Sequence, residues 1–260
     1  MRTFYFTGTG NCLQVARAVG TGGELVSIPV FLRENSAKGF REIEVSDSKI
    51  GIVFPTYWFT TPPLIAEFFA RTRLKSPYVF VISTRGNLSL AVKAQMLYFA
   101  RKGGFCLSYF ATLTMPDNYL PLFDMARQRQ RFTEAKLAAD VALVASEVEA
   151  STQNVGKTAG LAPLRGVMWR VATRQLSGFE RHLTVDGRCN ECGTCELVCP
   201  MRNIVRHEGR PYFGSSCAAC LSCAHTCPSR AIHVKGEKNS ERYRNATVSV
   251  ADLVRVNGPQ

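Results

Sequence analysis

The first 115 residues alternate short apolar runs with stretches of helical periodicity. Strands are predicted at residues 3–7, 25–28, 50–54, 78–83 and 105–112. The third and fourth are continuous apolar runs, the pattern of strands covered on both faces of a sheet. Helices are predicted at residues 11–19, 63–72, 88–102 and about 125–150, the last carrying Leu137, Val141, Val144 and Val148 at helical spacing. This alternation implies an α/β fold with a doubly wound parallel sheet. Residues 31–48, with Gly39 and little periodicity, leave the second helix short or missing.

Beyond residue 150 the pattern changes. Residues 151–180 read as a linker that is not flexible throughout. Leu161, Leu164, Met168 and Val171 fall on one helical face and Arg170 and Arg174 on another. Residues 162–176 are therefore predicted to form an amphipathic helix, flanked by Trp169 and docked on a domain. A repeat follows with an offset of 28 residues: Cys189, Cys192, Cys195, Cys199, Pro200, Arg202 and Ile204 recur as Cys217, Cys220, Cys223, Cys227, Pro228, Arg230 and Ile232. Two similar supersecondary units about a pseudo-twofold axis are expected. The organisation read from these changes is a domain at 1–150, a linker at 151–180, a small α+β domain at 181–235 and a tail at 236–260.

Eight of the ten cysteines lie in the repeat, leaving only Cys12 and Cys106 elsewhere. The chain begins without a secretory pattern, and its longest uncharged run, residues 50–66, contains Pro55, Pro62 and Pro63. A cytoplasmic protein without stable membrane insertion is expected, and in that reducing compartment clustered cysteines favour a metal site over disulfides. Each repeat reads C-x2-C-x2-C-x3-C-P, and three thiolates at every third residue suit a loop wrapped around one corner of an iron-sulfur cube. In two-cluster ferredoxins the fourth cysteine ligates the other cluster. This assigns Cys189, Cys192, Cys195 and Cys227 to one 4Fe-4S cluster and Cys217, Cys220, Cys223 and Cys199 to a second. Zinc would need two C-x2-C pairs per ion and leaves half of these cysteines without a role. His225, between Cys223 and Cys227, is either a proton site for a reduced cluster or an exposed loop histidine.

The net charge of +12 is dispersed, and two clusters would offset part of it. No basic tail or arm marks a nucleic-acid partner.

The first strand runs into Thr7-Gly8-Thr9-Gly10-Asn11 and then a helix, a loop able to receive a phosphate on glycine backbone, threonine hydroxyls and free helix N–H groups. The third strand is followed by the aromatic loop Thr56-Tyr57-Trp58-Phe59, in which Tyr57 and Trp58 are expected to stack on a planar ligand and Phe59 to join the core. After the fourth strand comes the polar turn Thr84-Arg85-Gly86-Asn87. With strand order 2-1-3-4-5 these loops converge at the switch point of the sheet.

In these loops the chain resembles flavodoxin, whose phosphate loop reads T-x-T-G-x-T, and the resemblance implies FMN. Cys12 stands where that pattern has a hydroxyl residue, and Arg85 is a second departure. Cys12 at a helix N-terminus also invites comparison with low-molecular-weight phosphatases, which use C-x5-R; Arg17 here gives C-x4-R. Together with Met115-Pro116-Asp117-Asn118-Tyr119 and Arg242-Tyr243-Arg244-Asn245, the whole chain is similar to fused flavodoxin and two-cluster ferredoxin proteins of anaerobic bacteria and archaea. That resemblance implies electron transfer among FMN, two 4Fe-4S clusters and redox partners. The alternative is a flavin-dependent reductase of a quinone or other small acceptor, for which Asp117 and Tyr119 are the acid–base candidates.

Overall fold

The computed structural model describes residues 1–39, 42–156 and 162–257 of the 260-residue chain, without the side chains of residues 162–164. The fold divides into two compact units: Met1–Phe6, Cys12–Met115 and Ala135–Gln175 form one, while Thr7–Asn11, Pro116–Glu134 and the chain from Leu176 onward form the other.

In chain order the elements as far as residue 176 are β1 (Arg2–Tyr5), α1 (Asn11–Val19), β2 (Glu24–Ser27), α2 (Ile28–Ala37), β3 (Ile43–Ser46), β4 (Ile50–Pro55), α3 (Pro63–Arg71), β5 (Thr72–Lys75), β6 (Val79–Arg85), α4 (Val92–Gly103), β7 (Leu107–Thr114), α5 (Met125–Arg131), α6 (Glu134–Glu149) and α7 (Ala162–Leu176). Five strands form one parallel sheet in the order β2-β1-β4-β6-β7. The five main strands thus stand in the expected 2-1-3-4-5 order. The apolar runs explain its centre: Ile50, Ile52, Val53 and Phe54 of β4 and Val79 to Ile82 of β6 are fully buried. On one face Phe4 packs against Phe31 and Phe68, each ring pair 5.0 Å apart. A separate parallel pair, β3 with β5, joins Ile43 to Thr72 and Ser46 to Lys75.

Three elements differ from the sequence reading. α2 is ten residues long where the pattern left a helix short or missing. Pro29 sets its first turn, Ile28, Val30 and Leu32 are buried, and Asn35 and Ser36 donate back to the carbonyls of Phe31 and Leu32. Such residues obscure periodicity because they compete for backbone partners. The single helix expected at 125–150 is two, broken at Phe132, whose backbone is extended. Asp124 caps the first by accepting from the N–H groups of Ala126 and Arg127, and after the break the chain leaves one unit for the other.

α7 spans 162–176 as predicted, but its buried face differs from the one expected. Val171 is 48% exposed whereas Ala172 is buried, and Arg165 lies over the Tyr98 ring at 3.9 Å. A guanidinium on an aromatic face fixes the helix through its polar side. Leu161 and the Leu164 side chain lie outside the described residues.

The second unit continues with β8 (Leu183–Val185), α8 (Thr194–Leu197), β9 (Ile204–His207), β10 (Arg210–Phe213), α9 (Ser222–Thr226), β11 (Ile232–Val234) and α10 (Val250–Asn257). The halves β8-α8-β9 and β10-α9-β11 repeat the 28-residue sequence offset. Their pairing is reciprocal, β8 with β11 and β9 with β10, both antiparallel. The segment after residue 235, expected as a tail, is part of this unit. Lys238 N–H donates to Leu120 carbonyl, and the buried Arg242 guanidinium donates to the carbonyls of Ala224 and Ile232 and to Glu237.

No helix among the described residues is long and apolar enough to cross a membrane.

Candidate functional site

The cysteines of the repeat line two cavities. Cys189, Cys192, Cys195 and Cys227 border one, with Arg206, Pro211 and Ile232. Cys199, Cys217, Cys220 and Cys223 border the other, with Leu183, Ile204, Phe213 and Ser222. Each cavity therefore takes three cysteines from one repeat and the fourth from its partner. No group of three His, Cys, Asp or Glu side chains suited to one metal ion occurs among the described residues.

The backbone around these thiols repeats as faithfully as the sequence. Glu191, Gly193 and Arg202 in the first half, and Ala219, Leu221 and Arg230 in the second, all adopt left-handed conformations at the same 28-residue offset. Five of these six are not glycine, so the turns hold strain that side chains ordinarily avoid. Left-handed residues of this kind can turn backbone N–H groups toward an anionic group. Donors reach the sulfurs: Asn203 N–H to Cys199 and its repeat counterpart Ala231 N–H to Cys227, both at 3.3 Å, and Ala219 N–H to Cys217 at 3.4 Å. Thr194 Oγ1 lies 3.3 Å from Cys192 Sγ and helps to lower the Cys192 thiol pKa. Burial pushes Cys195 and Cys217 up to about 11 and Cys223 well above its usual value. Desolvated thiols with inward N–H donors suit a cationic iron core, since metal coordination deprotonates a thiol outright.

His225 is only 6% exposed. Its Nδ1 accepts the Tyr243 N–H at 3.0 Å, so Nε2 carries the proton and donates to the Asn118 carbonyl at 2.8 Å. Burial lowers its pKa to about 4. His225 is a buried link between Asn118 and Tyr243 and not an exposed loop residue.

The loop Thr7–Asn11 belongs to the same unit as the cysteines. A Cβ on Gly8 would overlap the Cys220 carbonyl oxygen, and one on Gly10, whose φ is +100°, would lie 2.8 Å from Val248 Cβ. Thr7 Oγ1 accepts the Gly10 N–H, and Thr9 Oγ1 accepts from Asn118 Nδ2. Asn11 donates to the Pro116 carbonyl and accepts from Tyr243 and Asn245. Both threonines keep a hydroxyl hydrogen for a further acceptor, but the loop's glycines serve close protein packing, a role that the sequence reading did not give them.

The remaining loop residues belong to the sheet unit. Cys12 is buried with Sγ 3.2 Å from Thr84 Oγ1, tying α1 to the end of β6. Burial raises its pKa to about 12, so the thiol activation that a phosphatase needs is reversed. Thr56 N–H donates to the Thr84 carbonyl, Thr56 Oγ1 pairs with Ser83 Oγ, and Arg85 donates to the Asn87 carbonyl across Gly86. Tyr57 and Thr60 exchange backbone hydrogen bonds, closing a two-residue turn with Trp58 and Phe59 both left-handed. That turn type ordinarily calls for glycine or asparagine. The turn leaves Trp58 38% and Phe59 41% exposed, whereas Tyr57 packs edge-on to Phe6 at 6.2 Å. Phe59 is not in the core, and the outward pair is Trp58 and Phe59. Thr60 Oγ1, Thr61 Oγ1 and Arg85 Nε are buried without hydrogen-bond partners among the described residues. Strained outward rings beside orphaned polar atoms fit a planar ligand with polar edges.

The acid–base candidates Asp117 and Tyr119 both stand in the segment that follows β7. The Asp117 carboxylate accepts the Tyr119 N–H at 2.9 Å, and the Tyr119 ring packs 6.3 Å from Phe179.

No protein-family model matches the chain, and no curated protein matches it. Solved structures that resemble it include a flavone reductase, 8% identical, with 85% of this chain and 86% of that chain covered and a TM-score of 0.36. Trp repressor binding protein from Bacillus subtilis is 15% identical over 57% of this chain and 96% of its own, with a TM-score of 0.34. Rubredoxin oxygen:oxidoreductase from Desulfovibrio gigas is 12% identical over 58% and 36%, with a TM-score of 0.33. At such scores the likeness carries no functional argument; the doubly wound sheet stands on the strand order of this chain.

Proposed function

We propose that the chain is an electron-transfer protein that relays electrons among FMN, two 4Fe-4S clusters and redox partner proteins. The observation that carries this reading is the division of eight cysteines into two cavities of four, each completed by a cysteine of the other repeat. Bound flavin would exchange electrons singly or in pairs and each cluster would pass one, coupling two-electron donors to one-electron carriers.

In this reading Cys189, Cys192, Cys195 and Cys227 hold one cluster and Cys199, Cys217, Cys220 and Cys223 the other. The N–H groups of Asn203, Ala219 and Ala231 offset the thiolate charge. For FMN, Thr7 and Thr9 are the candidates for the phosphate, and Trp58 and the Thr84–Asn87 turn those for the ring system. The reductase alternative would rest on Asp117 and Tyr119, whose contacts here are those of the turn that follows β7.

Anaerobic purification with flavin analysis, followed by stopped-flow reduction at several protein concentrations, tests the relay. Released FMN and a cluster-reduction rate independent of protein concentration support it. A clean apoprotein that ignores added FMN, or a rate proportional to concentration, contradicts it.

A further inference from the structure

Ser222 is the residue of the second repeat whose chemistry the fold leaves unused. It is 1% exposed, its hydroxyl has no hydrogen-bond partner among the described residues, and it lines the cavity bordered by Cys199, Cys217, Cys220 and Cys223. A buried hydroxyl without a partner forfeits its solvation, and natural interiors rarely leave one so. Its own helix offers no remedy. Ser222 is the first residue of α9, where the spare backbone groups are N–H donors, and its carbonyl already accepts from Thr226 Oγ1.

The repeat supplies the comparison. Twenty-eight residues earlier stands Thr194, likewise the first residue of its helix, with its hydroxyl oxygen 3.3 Å from Cys192 Sγ. Cys220 is the counterpart of Cys192. One hydroxyl has found sulfur, and the equivalent one is buried in a cavity lined by four thiols with no partner among the described residues.

We infer that the Ser222 hydroxyl is a donor to the iron-sulfur group of the second cavity and sets its reduction potential, as Thr194 does for the first. This rests on the two-cluster reading above. One electron from a reductant such as dithionite adds one negative charge to a cluster, and a hydroxyl donor stabilises that charge without giving up its proton. Removing the donor therefore disfavours reduction.

The test is an anaerobic redox titration of the full chain, followed by EPR, for the native protein and for Ser222→Ala, Ser222→Thr, Ser222→Val and Thr194→Ala. Ser222→Ala is expected to lower one cluster's reduction equilibrium about tenfold, which is about 59 mV for one electron. Thr194→Ala should lower the other. Threonine and valine have the same shape, so Ser222→Thr at the native potential with Ser222→Val depressed assigns the effect to the hydroxyl, even if the alanine variant assembles poorly. Equal potentials in the threonine and valine variants, or equal shifts of both clusters, overturn the inference while leaving the two-cluster reading intact. A native protein devoid of iron overturns both.

Discussion

Gly8 and Cys220 meet backbone to backbone: the space that a side chain on Gly8 would need is held by the Cys220 carbonyl oxygen. The loop after the first strand is thus joined to the second cysteine repeat across more than two hundred residues of sequence. Thr9, Asn118, His225, Tyr243 and Asn11 continue the junction as an unbroken run of hydrogen bonds.

Gly8→Ala is therefore expected to destabilise the protein by about 1–3 kcal/mol, the usual cost of overpacking a close contact. A second cavity forced open should also release iron faster. Chemical denaturation together with the rate of iron release to a chelator measures both, and native values in each would show that the contact yields freely.

Arg242 binds the segment after residue 235 to the cysteine halves with donors to two carbonyls and to Glu237. Arg242→Met should cost about 3–5 kcal/mol, because the partly buried Glu237 carboxylate loses its guanidinium partner. Arg242→Met with Glu237→Gln should recover part of that loss in a denaturation series.

The buried Asp117 carboxyl has its pKa raised above the ordinary 3.8, burial outweighing the N–H bonds it accepts. Below 3.8 both the folded and unfolded forms hold the proton, and its stabilising contribution is complete. As pH rises through the elevated folded value, that contribution is lost. Asp117→Asn keeps an acceptor for the Tyr119 N–H and does not titrate. Its denaturation midpoint is expected to exceed that of the native protein at pH 7, with the gap narrowing towards about pH 4. A gap independent of pH would contradict this.

How much of this was legible follows the range of the interactions. The sheet could be read because β4 and β6 are buried on both faces and their apolar runs are local signals. The grouping of the cysteines around two cavities could be read because their spacing is local too. The left-handed residues Glu191, Ala219, Arg202 and Arg230 carry no sequence mark, since the turns impose on them a conformation that glycine usually takes. The tail could not be recognised as part of a fold, because Tyr243 and Asn245 find their partners far away in the chain. The packing role of the glycines after β1 leaves no local mark, because Cys220 and Val248, which crowd them, are remote in sequence.

Trp58 and Phe59 face outward from a turn that strains both. If Trp58 stacks on the flavin, Trp58→Ala weakens FMN binding by about 0.5–1.5 kcal/mol beyond the loss of buried area. Fluorescence titration of apoprotein with FMN measures the change. Alanine keeps the Cβ that strains the turn, so stability should hold while affinity falls.

The central claim is that two iron-sulfur cubes share cysteines across the repeats. Iron and sulfide analysis with EPR, on the anaerobically purified native chain and on Cys199→Ser and Cys227→Ser, tests it most directly. The account predicts about eight iron and eight sulfide per native chain. It further predicts that Cys199→Ser impairs only the cluster held by Cys217, Cys220 and Cys223, and that Cys227→Ser impairs only the one held by Cys189, Cys192 and Cys195. Zinc in place of iron, or damage confined to the cluster of each cysteine's own repeat, would contradict it.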